Sequence, residues 1–199
     1  MDKVVEAQFN NAVVVKTLDI RYAFTNAATR EVYQEATHKK LKFLSGESLT
    51  AIGVSNLTPD VIYQTAGAAA IDLYLPEDLV LQAGFVTKAN LGIAFDIPIG
   101  VAGLLIPRSS NGKQDFQVML SNTVGLIDSD YKGTLWAQFT TLNGAGPTVN
   151  LKQGERFAQL IFIPYIKANP VESLWDSFKD STERGTLGLG EGTGSQTNA

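Results

Sequence analysis

One feature restricts the folds open to this chain more than any other. Apolar and smaller residues alternate in short stretches, and glycine or proline interrupts these stretches every few positions. The alternation runs through residues 91–97, 116–120 and 135–139, and a largely apolar run over 157–163 ends at Pro164. A period of two is that of a half-buried strand, whereas an apolar run bounded by proline is typical of a strand buried on both faces. The pattern predicts an all-β sandwich, barrel or jelly roll.

The two ends of the chain differ from this β region. Residues 12–18 predict a first strand, and residues 25–44 predict a surface helix in which Ala28, Val32 and Ala36 recur at four-residue spacing. Five glycines within the last fifteen residues are typical of a flexible arm. We therefore predict an N-terminal helical elaboration over 1–60, a β domain over 61–183 and a C-terminal arm over 184–199.

The chemistry open to the chain is limited by what it lacks. Its 199 residues contain no cysteine and one histidine, His38. Catalysis must therefore rest on carboxylates, hydroxyls, lysines, arginines or a loosely held hard cation. The net charge of −4 gives no overall basic surface for nucleic acid, and no apolar run approaches the length of a membrane span. We expect a soluble protein of the cytoplasm or another intracellular compartment, of cellular, viral or phage origin.

The segment GLIDSDYKGTLW, residues 125–136, places Asp128 directly after Leu126 and Ile127, where the chain looks buried. Residues before a hairpin turn face the cavity that the hairpin closes, so we expect these side chains and Tyr131 to desolvate Asp128 in part. A carboxylate of this kind suits a general base that acts on a bound water. Taken alone, the sequence Asp-Ser-Asp is better explained by a solvated turn, and only the other segments together favour a catalytic role.

Three other segments carry polar groups in or beside predicted strands. IPRSSNG supplies Arg108, Ser109 and Ser110, a guanidinium and two hydroxyls suited to an anion. Asp72 stands between aliphatic residues and needs a cation or a water shell as its partner. Gln159, inside the apolar run over 157–163, must hydrogen bond if it is buried. A fourth segment, ERGTLGLGEGTG, joins an arginine to a glycine-rich arm, which alone is weak support for phosphate binding.

Taken in their order along the chain, the five segments resemble the motifs of the trimeric dUTPase family. The resemblance covers about two-thirds of the chain, residues 68–194, and the combination of PRSS with GLIDSDY is its most specific part. It implies a jelly-roll-like β fold, a homotrimer with shared active sites, and Mg²⁺-dependent hydrolysis of dUTP to dUMP and pyrophosphate. That reaction limits uracil incorporation into DNA and supplies dUMP for thymidylate synthesis.

The resemblance also implies roles for the residues around the base and the sugar. Asp128 would orient and deprotonate the water that attacks the α-phosphorus, and Tyr131 would pack on deoxyribose. Asn122, with backbone groups of three residues, would read uracil; these residues are Leu126, Ile127 and Trp136.

Phosphate and metal binding are implied for a second set. Arg108, Ser109 and Ser110 would hold the phosphates and Gln159 would support them. Arg184 and the arm would close over the triphosphate, with Leu189 as apolar cover for uracil. Asp72 would hydrogen bond the water shell of Mg²⁺ without ligating the metal directly.

Departures from the family pattern leave alternatives open. Ala70 replaces a usual glycine, and Leu187 and Leu189 replace a glycine and an aromatic residue in the arm. A dCTP deaminase of the same fold would place a catalytic glutamate where Gln138 stands. A catalytically weak, nucleotide-binding regulatory protein is the non-enzymatic alternative, and the N-terminal segment is hypothesised to bind a protein partner.

Overall fold

The computed structural model describes residues 5–9, 13–17, 19–41, 63–65, 67–113, 118–141, 148–179 and 181–182. The chain divides into two compact units, residues 1–165 and 166–199. The strands in chain order are β1 (Val5–Phe9), β2 (Val13–Thr17), β3 (Arg21–Phe24), β4 (Ile71–Tyr74), β5 (Leu79–Leu81), β6 (Thr87–Asn90), β7 (Ile93–Asp96), β8 (Val101–Pro107), β9 (Val118–Leu120), β10 (Gly125–Ile127), β11 (Trp136–Thr141), β12 (Val149–Leu151) and β13 (Arg156–Pro164). The helices are α1 (Ala27–Leu41), a 3₁₀ helix (Ser109–Lys113) and α2 (Trp175–Lys179).

Two antiparallel sheets form the body of the first unit. One has the strand order β10-β8-β13-β4 and the other the order β6-β11-β9, while β1–β2, β3–β7 and β5–β12 form two-stranded ladders. Alternate residues of β11 are buried, namely Ala137, Phe139 and Thr141, as the period of two predicts. The predicted all-β, jelly-roll-like class is confirmed, although the described strands close no barrel.

The core of the first unit is filled by rings that different strands bring together. Phe139 of β11 meets Phe157 of β13 edge to face with ring centroids 4.7 Å apart, and Phe95 of β7 meets Phe162 of β13 at 5.6 Å. Burying one such side chain contributes about 1.5–3 kcal/mol. The strands joined by these contacts therefore form a rigid support for residues at their ends.

The segment that contains β3 and α1 approaches the chain closely at Gly92, the residue before β7. Gly92 has φ +66, and a Cβ there would lie 2.7 Å from Cγ2 of Thr29, so only glycine permits this approach. The N–H of Thr25 donates to the Gly92 carbonyl at 2.9 Å. Asn26 caps α1, because its Oδ1 accepts the N–H of Thr29 at 2.8 Å.

The predicted helix is confirmed, but the residues that it buries differ from those expected. Tyr33 is fully buried, with its ring 5.0 Å from Phe24 and 5.0 Å from Tyr74. Ala28 is exposed and Val32 is only half-buried. The aromatic ring gains far more from burial than alanine does, so the Tyr33 side of α1 faces the core. Ala36 lies outside the residues whose side chains are described.

The β ladders also bear on the predicted domain limits. β3 pairs with β7 in the register Arg21↔Asp96 to Phe24↔Ile93, so part of the predicted elaboration belongs to the packing of the β region. The limits 1–60, 61–183 and 184–199 stay a prediction. Within the second unit, Asp176 and Lys179 of α2 form an ion pair of 2.9 Å. No helix in the described part of the chain has the length and apolarity to cross a membrane.

Candidate active site

Two guanidinium groups meet one buried carboxylate at the ends of β4, β8 and β13. Asp72 is 5% exposed; its Oδ1 accepts from Nε of Arg108 at 2.8 Å and its Oδ2 from Nη1 of Arg156 at 3.1 Å. Two positive groups on one negative group leave a net charge of +1 beside the surface. The arrangement satisfies the need of Asp72 for a cationic partner and can attract an additional anion.

The strand registers explain why these groups meet. Gln159 of β13 lies opposite Asp72 of β4 and opposite Ile106 of β8, and its Nε2 donates to the Pro107 carbonyl at 3.0 Å. The hydrogen bond that was predicted for this amide is therefore present. We name Asp72, Arg108, Ser110, Arg156 and Gln159 the anion cluster.

The hydroxyls that follow Arg108 are held by the 3₁₀ helix. Nη1 of Arg108 donates to Oγ of Ser110 at 3.1 Å, and Ser109 is exposed at the start of the helix. Asn111 is buried, and its Nδ2 donates to the Phe157 carbonyl at 2.8 Å. The buried amide anchors the turn, so the arginine and the hydroxyls stay together at one surface.

The second group of predicted residues lies in the turn after β10. The N–H of Tyr131 donates to the Asp128 carbonyl at 3.2 Å, and Oη of Tyr131 donates to the Thr134 carbonyl at 2.7 Å. A Cβ on Gly133 would lie 2.6 Å from this Oη, so the ring needs glycine beneath it. We name residues 122–136, which include Asp128 and Tyr131, the acidic hairpin.

The expectation that Asp128 is partly desolvated within its own chain is wrong. Asp128 is exposed, Leu126 is 63% exposed and Tyr131 is 42% exposed. β10 lies at the edge of its sheet, and alternation turns Leu126 outward while Ile127 packs against the core. The apolar residues before Asp128 therefore do not indicate that this segment is buried within one chain. They form an apolar surface that another chain can cover.

Asn122 lies exposed in the turn that leads into β10. Thr123 next to it has φ 57, a strained conformation for a β-branched residue, and its Oγ1 donates to the Asn122 carbonyl at 2.7 Å. Trp136, at the other end of the hairpin, is 52% exposed. Leu126, between them, lies on an edge strand, where alternate residues direct backbone groups away from the partner strand. Backbone N–H donors and carbonyl acceptors of the edge strand are thus available beside Asn122.

The anion cluster and Asp128 do not meet within one chain. Ile127 lies opposite Gly103 of β8, which sets Asp128 level with Ala102. Arg108 lies six residues further along β8, a separation of about 20 Å at the rise of a strand. The structure therefore brings together Asp72, Arg108, Ser110 and Gln159, and holds Asp128 and Tyr131 at the opposite end of the ladder.

Arg156 belongs to the anion cluster although the sequence motif containing it suggested no role for it. Its Nη1 donates to Gln64 Oε1 at 3.3 Å as well as to Asp72. Gln64 in turn donates through Nε2 to Oη of Tyr74 at 3.3 Å. Burial, and then the Asp72 carboxylate, raise the pKa of Tyr74, so this phenol stays neutral beside the cluster. The one sequence feature that could have indicated a role for Arg156 at this site is its position three residues before Gln159.

Lys132 is a second residue that the sequence did not single out. Its Nζ donates to Oδ1 of Asp96 at 2.7 Å and to the Ser129 carbonyl at 2.8 Å. Asp96 also pairs with Arg21 of β3. Neither of two clefts beside β3, of about 590 and 350 Å³, contains a predicted site residue. Arg184, Leu187 and Leu189 lie outside the described residues.

The geometry defines a class of protein. A jelly-roll-like β domain presents a guanidinium–hydroxyl cluster at one end of a ladder and, at the other end, an exposed carboxylate beside an amide and an edge strand. Such a surface suits a phosphorylated ligand that carries a hydrogen-bonding ring.

Known proteins narrow the class. The sequence model of the dUTPase family matches residues 58–193. A deoxyuridine 5'-triphosphate nucleotidohydrolase of Hydrogenovibrio crunogenus is 38% identical over 137 residues, which cover 67% of this chain and 85% of that protein. The crystal structure of a dUTPase from Streptococcus mutans aligns with TM-score 0.51 and 32% identity over 55% of this chain and 88% of its own.

A dUTPase of Staphylococcus bacteriophage 80alpha with dUPNHPP shares the fold over a longer span. It aligns with TM-score 0.61 and 18% identity over 88% of this chain and 98% of its own. This chain belongs to the dUTPase family.

Proposed function

We propose that this protein is a dUTP diphosphatase, which hydrolyses dUTP to dUMP and pyrophosphate. The observation that carries the proposal is family membership over residues 58–193, a span that contains both the anion cluster and the acidic hairpin. The relatives named deoxyuridine 5'-triphosphate nucleotidohydrolase support the same reaction. In a cell, this reaction lowers dUTP, limits uracil in DNA and supplies dUMP for thymidylate synthesis.

Asp128 is the general base of this reaction. Its carboxylate holds a water and accepts a proton from it as the water oxygen bonds to the α-phosphorus. The bond from the α-phosphorus to the bridging oxygen breaks, and that oxygen leaves with pyrophosphate. The exposure of Asp128 in one chain leaves room for the water and for the substrate. A covering chain would exclude bulk solvent and strengthen the electrostatic contacts of the site.

The anion cluster holds the triphosphate. Arg108 uses Nε on Asp72 and Nη1 on Oγ of Ser110 and on the Arg156 carbonyl, and the exposed Ser109 follows it in the chain. Gln159 keeps the end of β8 in place through the Pro107 carbonyl. The net positive charge of the Asp72 group stabilises negative charge that moves to the leaving pyrophosphate.

Mg²⁺ fits this site as an ion that arrives with the triphosphate. The described residues contain no group of three or more histidine, aspartate or glutamate side chains that could hold a metal. Mg²⁺ commonly keeps several waters and binds phosphate oxygens, so such a cage is not required. When bound, the ion would neutralise phosphate charge; each Asp72 oxygen retains a lone pair for one of its waters.

Uracil and deoxyribose are selected by the acidic hairpin. The amide of Asn122 and the backbone groups of Leu126, Ile127 and Trp136 offer donors and acceptors that match uracil and mismatch cytosine. An unpaired buried polar group costs about 1–3 kcal/mol, which gives the discrimination. The ring of Tyr131, fixed by its hydrogen bond to Thr134, packs on the sugar where a 2′-hydroxyl would not fit.

The active site is shared between chains of a homotrimer. The separation of about 20 Å between Arg108 and Asp128 along β8 prevents one chain from supplying both to one substrate. The exposed apolar side chains of the hairpin, Leu126 and Trp136 among them, suit contact with a neighbouring chain. The roles implied for Arg184 on the phosphates and Leu189 over uracil concern residues outside the described part of the chain and stay a prediction.

Replacing Asp128 by asparagine tests the proposal. We expect Asp128→Asn to abolish pyrophosphate release while dUTP still binds with near-normal affinity, because the amide keeps the shape of the side chain and cannot take the proton. Asp130→Asn is the matched control, since Asp130 is an exposed aspartate of the same turn, and it should retain turnover. Unchanged turnover in Asp128→Asn would refute the assignment of the base.

A further inference from the structure

Lys132 ties the turn that carries Asp128 to the neighbouring sheet strand. Its Nζ donates to the Ser129 carbonyl at 2.8 Å, to Oδ1 of Asp96 at 2.7 Å and, more weakly, to the Ile97 carbonyl at 3.5 Å. Ser129 directly follows Asp128. An ammonium group has three donors, and here the acceptors come from two separate parts of the chain. One side chain therefore connects the acidic hairpin with the end of β7.

Asp96 in turn connects Lys132 with the N-terminal segment. Residue Arg21 lies opposite Asp96 in the β3–β7 ladder and pairs with its carboxylate. Hydrogen bonds from Lys132 and then from Arg21 hold the pKa of Asp96 below its ordinary value, so the carboxylate is charged at neutral pH. The contacts run in one line from β3 to the residue after Asp128.

Besides Lys132, the turn is held by a hydrogen bond from Oη of Tyr131 to the Thr134 carbonyl at 2.7 Å and by a 3.4 Å contact between Oγ of Ser129 and Oη of Tyr165. Its own backbone hydrogen bond, from the N–H of Tyr131 to the Asp128 carbonyl, is 3.2 Å long, and Asp128 is exposed. The Asp128 carboxylate has no hydrogen-bond partner among the described residues. A carboxylate that must hold one water beside phosphorus needs a fixed backbone, because a misplacement of about 1 Å can cost 100-fold in rate.

We propose that Lys132 and Asp96 are positioning residues for Asp128, and that Arg21 makes the N-terminal segment part of this support. The proposal rests on the proposed function of Asp128 as the base. It gives the segment before the β domain a role in turnover that does not require any protein partner. All three side chains are partly or largely exposed, at 54% for Lys132, 37% for Asp96 and 87% for Arg21. Their effect is therefore on geometry and not on global stability, since exposed ion pairs stabilise little.

The test compares steady-state kinetics of single and double variants with dUTP and Mg²⁺. We expect Lys132→Met and Asp96→Asn each to lower kcat by about tenfold with KM changed less than about twofold, because the base is displaced while the phosphate contacts persist. The double variant should be no slower than Lys132→Met, since both act through one contact. Lys132→Arg should recover most of kcat, and Arg21→Gln should lower kcat by about twofold to threefold.

Lys152→Met is the matched control. Lys152 also forms an exposed 2.7 Å ion pair, with Asp78, but on the β5–β12 ladder, and its loss should leave kcat unchanged. A wild-type kcat in Lys132→Met would overturn the proposal, and so would additive losses in the double variant. If wild-type protein itself releases no pyrophosphate from dUTP, the proposed function fails instead, which keeps the two failures distinct.

Discussion

Two inactive variants of this protein should restore activity when they assemble together. The variants are Arg108→Gln, which weakens the anion cluster, and Asp128→Asn, which removes the base. Arg108 follows β8 and Asp128 follows β10, and the β8–β10 register separates them by about 20 Å, so the proposed shared site takes them from different chains. Each variant alone would therefore damage every site of the proposed homotrimer.

The size of the recovery follows from counting chains. In a random mixture of equal amounts, a site is intact when the chain that supplies the base has Asp128 and the chain that supplies the cluster has Arg108. Each condition holds for half of the chains, so about one quarter of the sites are complete. Before purification, pyrophosphate release per chain should approach about 25% of the wild-type value. In a purified mixed trimer one site of three is complete, so the value there should approach about 33%, whereas the unmixed variants remain near zero.

The assay uses two affinity tags so that only mixed assemblies are measured. The variants are unfolded together, refolded together, and purified by both tags in sequence, with identically treated wild-type protein as reference. Activity equal to the average of the two pure variants would refute the shared-site reasoning. A monomeric mass in solution would refute it as well, because no second chain would then be present.

Three other predictions concern stability and pH. Gly92→Ala should lower the free energy of unfolding in urea by about 1–3 kcal/mol, because φ is positive and the new Cβ meets a side chain of α1. Gly67→Ala is the control: open space surrounds Gly67, so the free energy of unfolding should change by less than about 0.5 kcal/mol. Tyr33→Phe should cost about 1–3 kcal/mol in the same titration, because it removes the oxygen that accepts a buried backbone N–H at 3.2 Å; equal midpoints would contradict that account. A hydrogen bond from Lys152 lowers the pKa of Asp78 below its ordinary value of 3.8 in the folded protein. The ionised Asp78 therefore contributes to the free energy of unfolding above pH 3.8, and this contribution is lost as pH falls through the lower folded pKa. Asp78→Asn should therefore flatten the loss of stability below about pH 4, and an unchanged pH profile would count against it.

The β fold could be predicted from the sequence because its signals are local. Residues 135–139 alternate with the strand period and residues 157–163 form an apolar run that ends at Pro164, and the structure has β11 and β13 there. The helix was also predictable, but its rotation was not, since small alanines gave a pattern that the burial of Tyr33 overrides. Local periodicity identifies an element more reliably than the face that it buries.

The anion cluster was predictable for a different reason. Asp72 stood among aliphatic residues and Gln159 stood in a buried strand, and each needed a polar partner that the structure supplies. Arg156 was missed as the second partner of Asp72, because a residue at the exposed start of a strand gives no sign of what lies opposite. The strand register decides that contact.

The acidic hairpin marks where sequence reasoning stops. Leu126 reads as buried but lies exposed, because β10 is an edge strand and alternation turns this side chain outward. The contact of Lys132 with Asp96 joins residues 36 positions apart with no pattern between them. Such contacts depend on how β7 and the hairpin meet in space.

One assay tests most directly the claim that this protein is a dUTP diphosphatase. It measures pyrophosphate release with Mg²⁺ from dUTP, dCTP, dTTP and UTP, while ammonia is followed in parallel. We predict release from dUTP alone and no ammonia from any substrate. Ammonia from dCTP would place the protein among deaminases despite Gln138, and bound dUTP without either product would make it a nucleotide-binding regulator; either result would contradict the account.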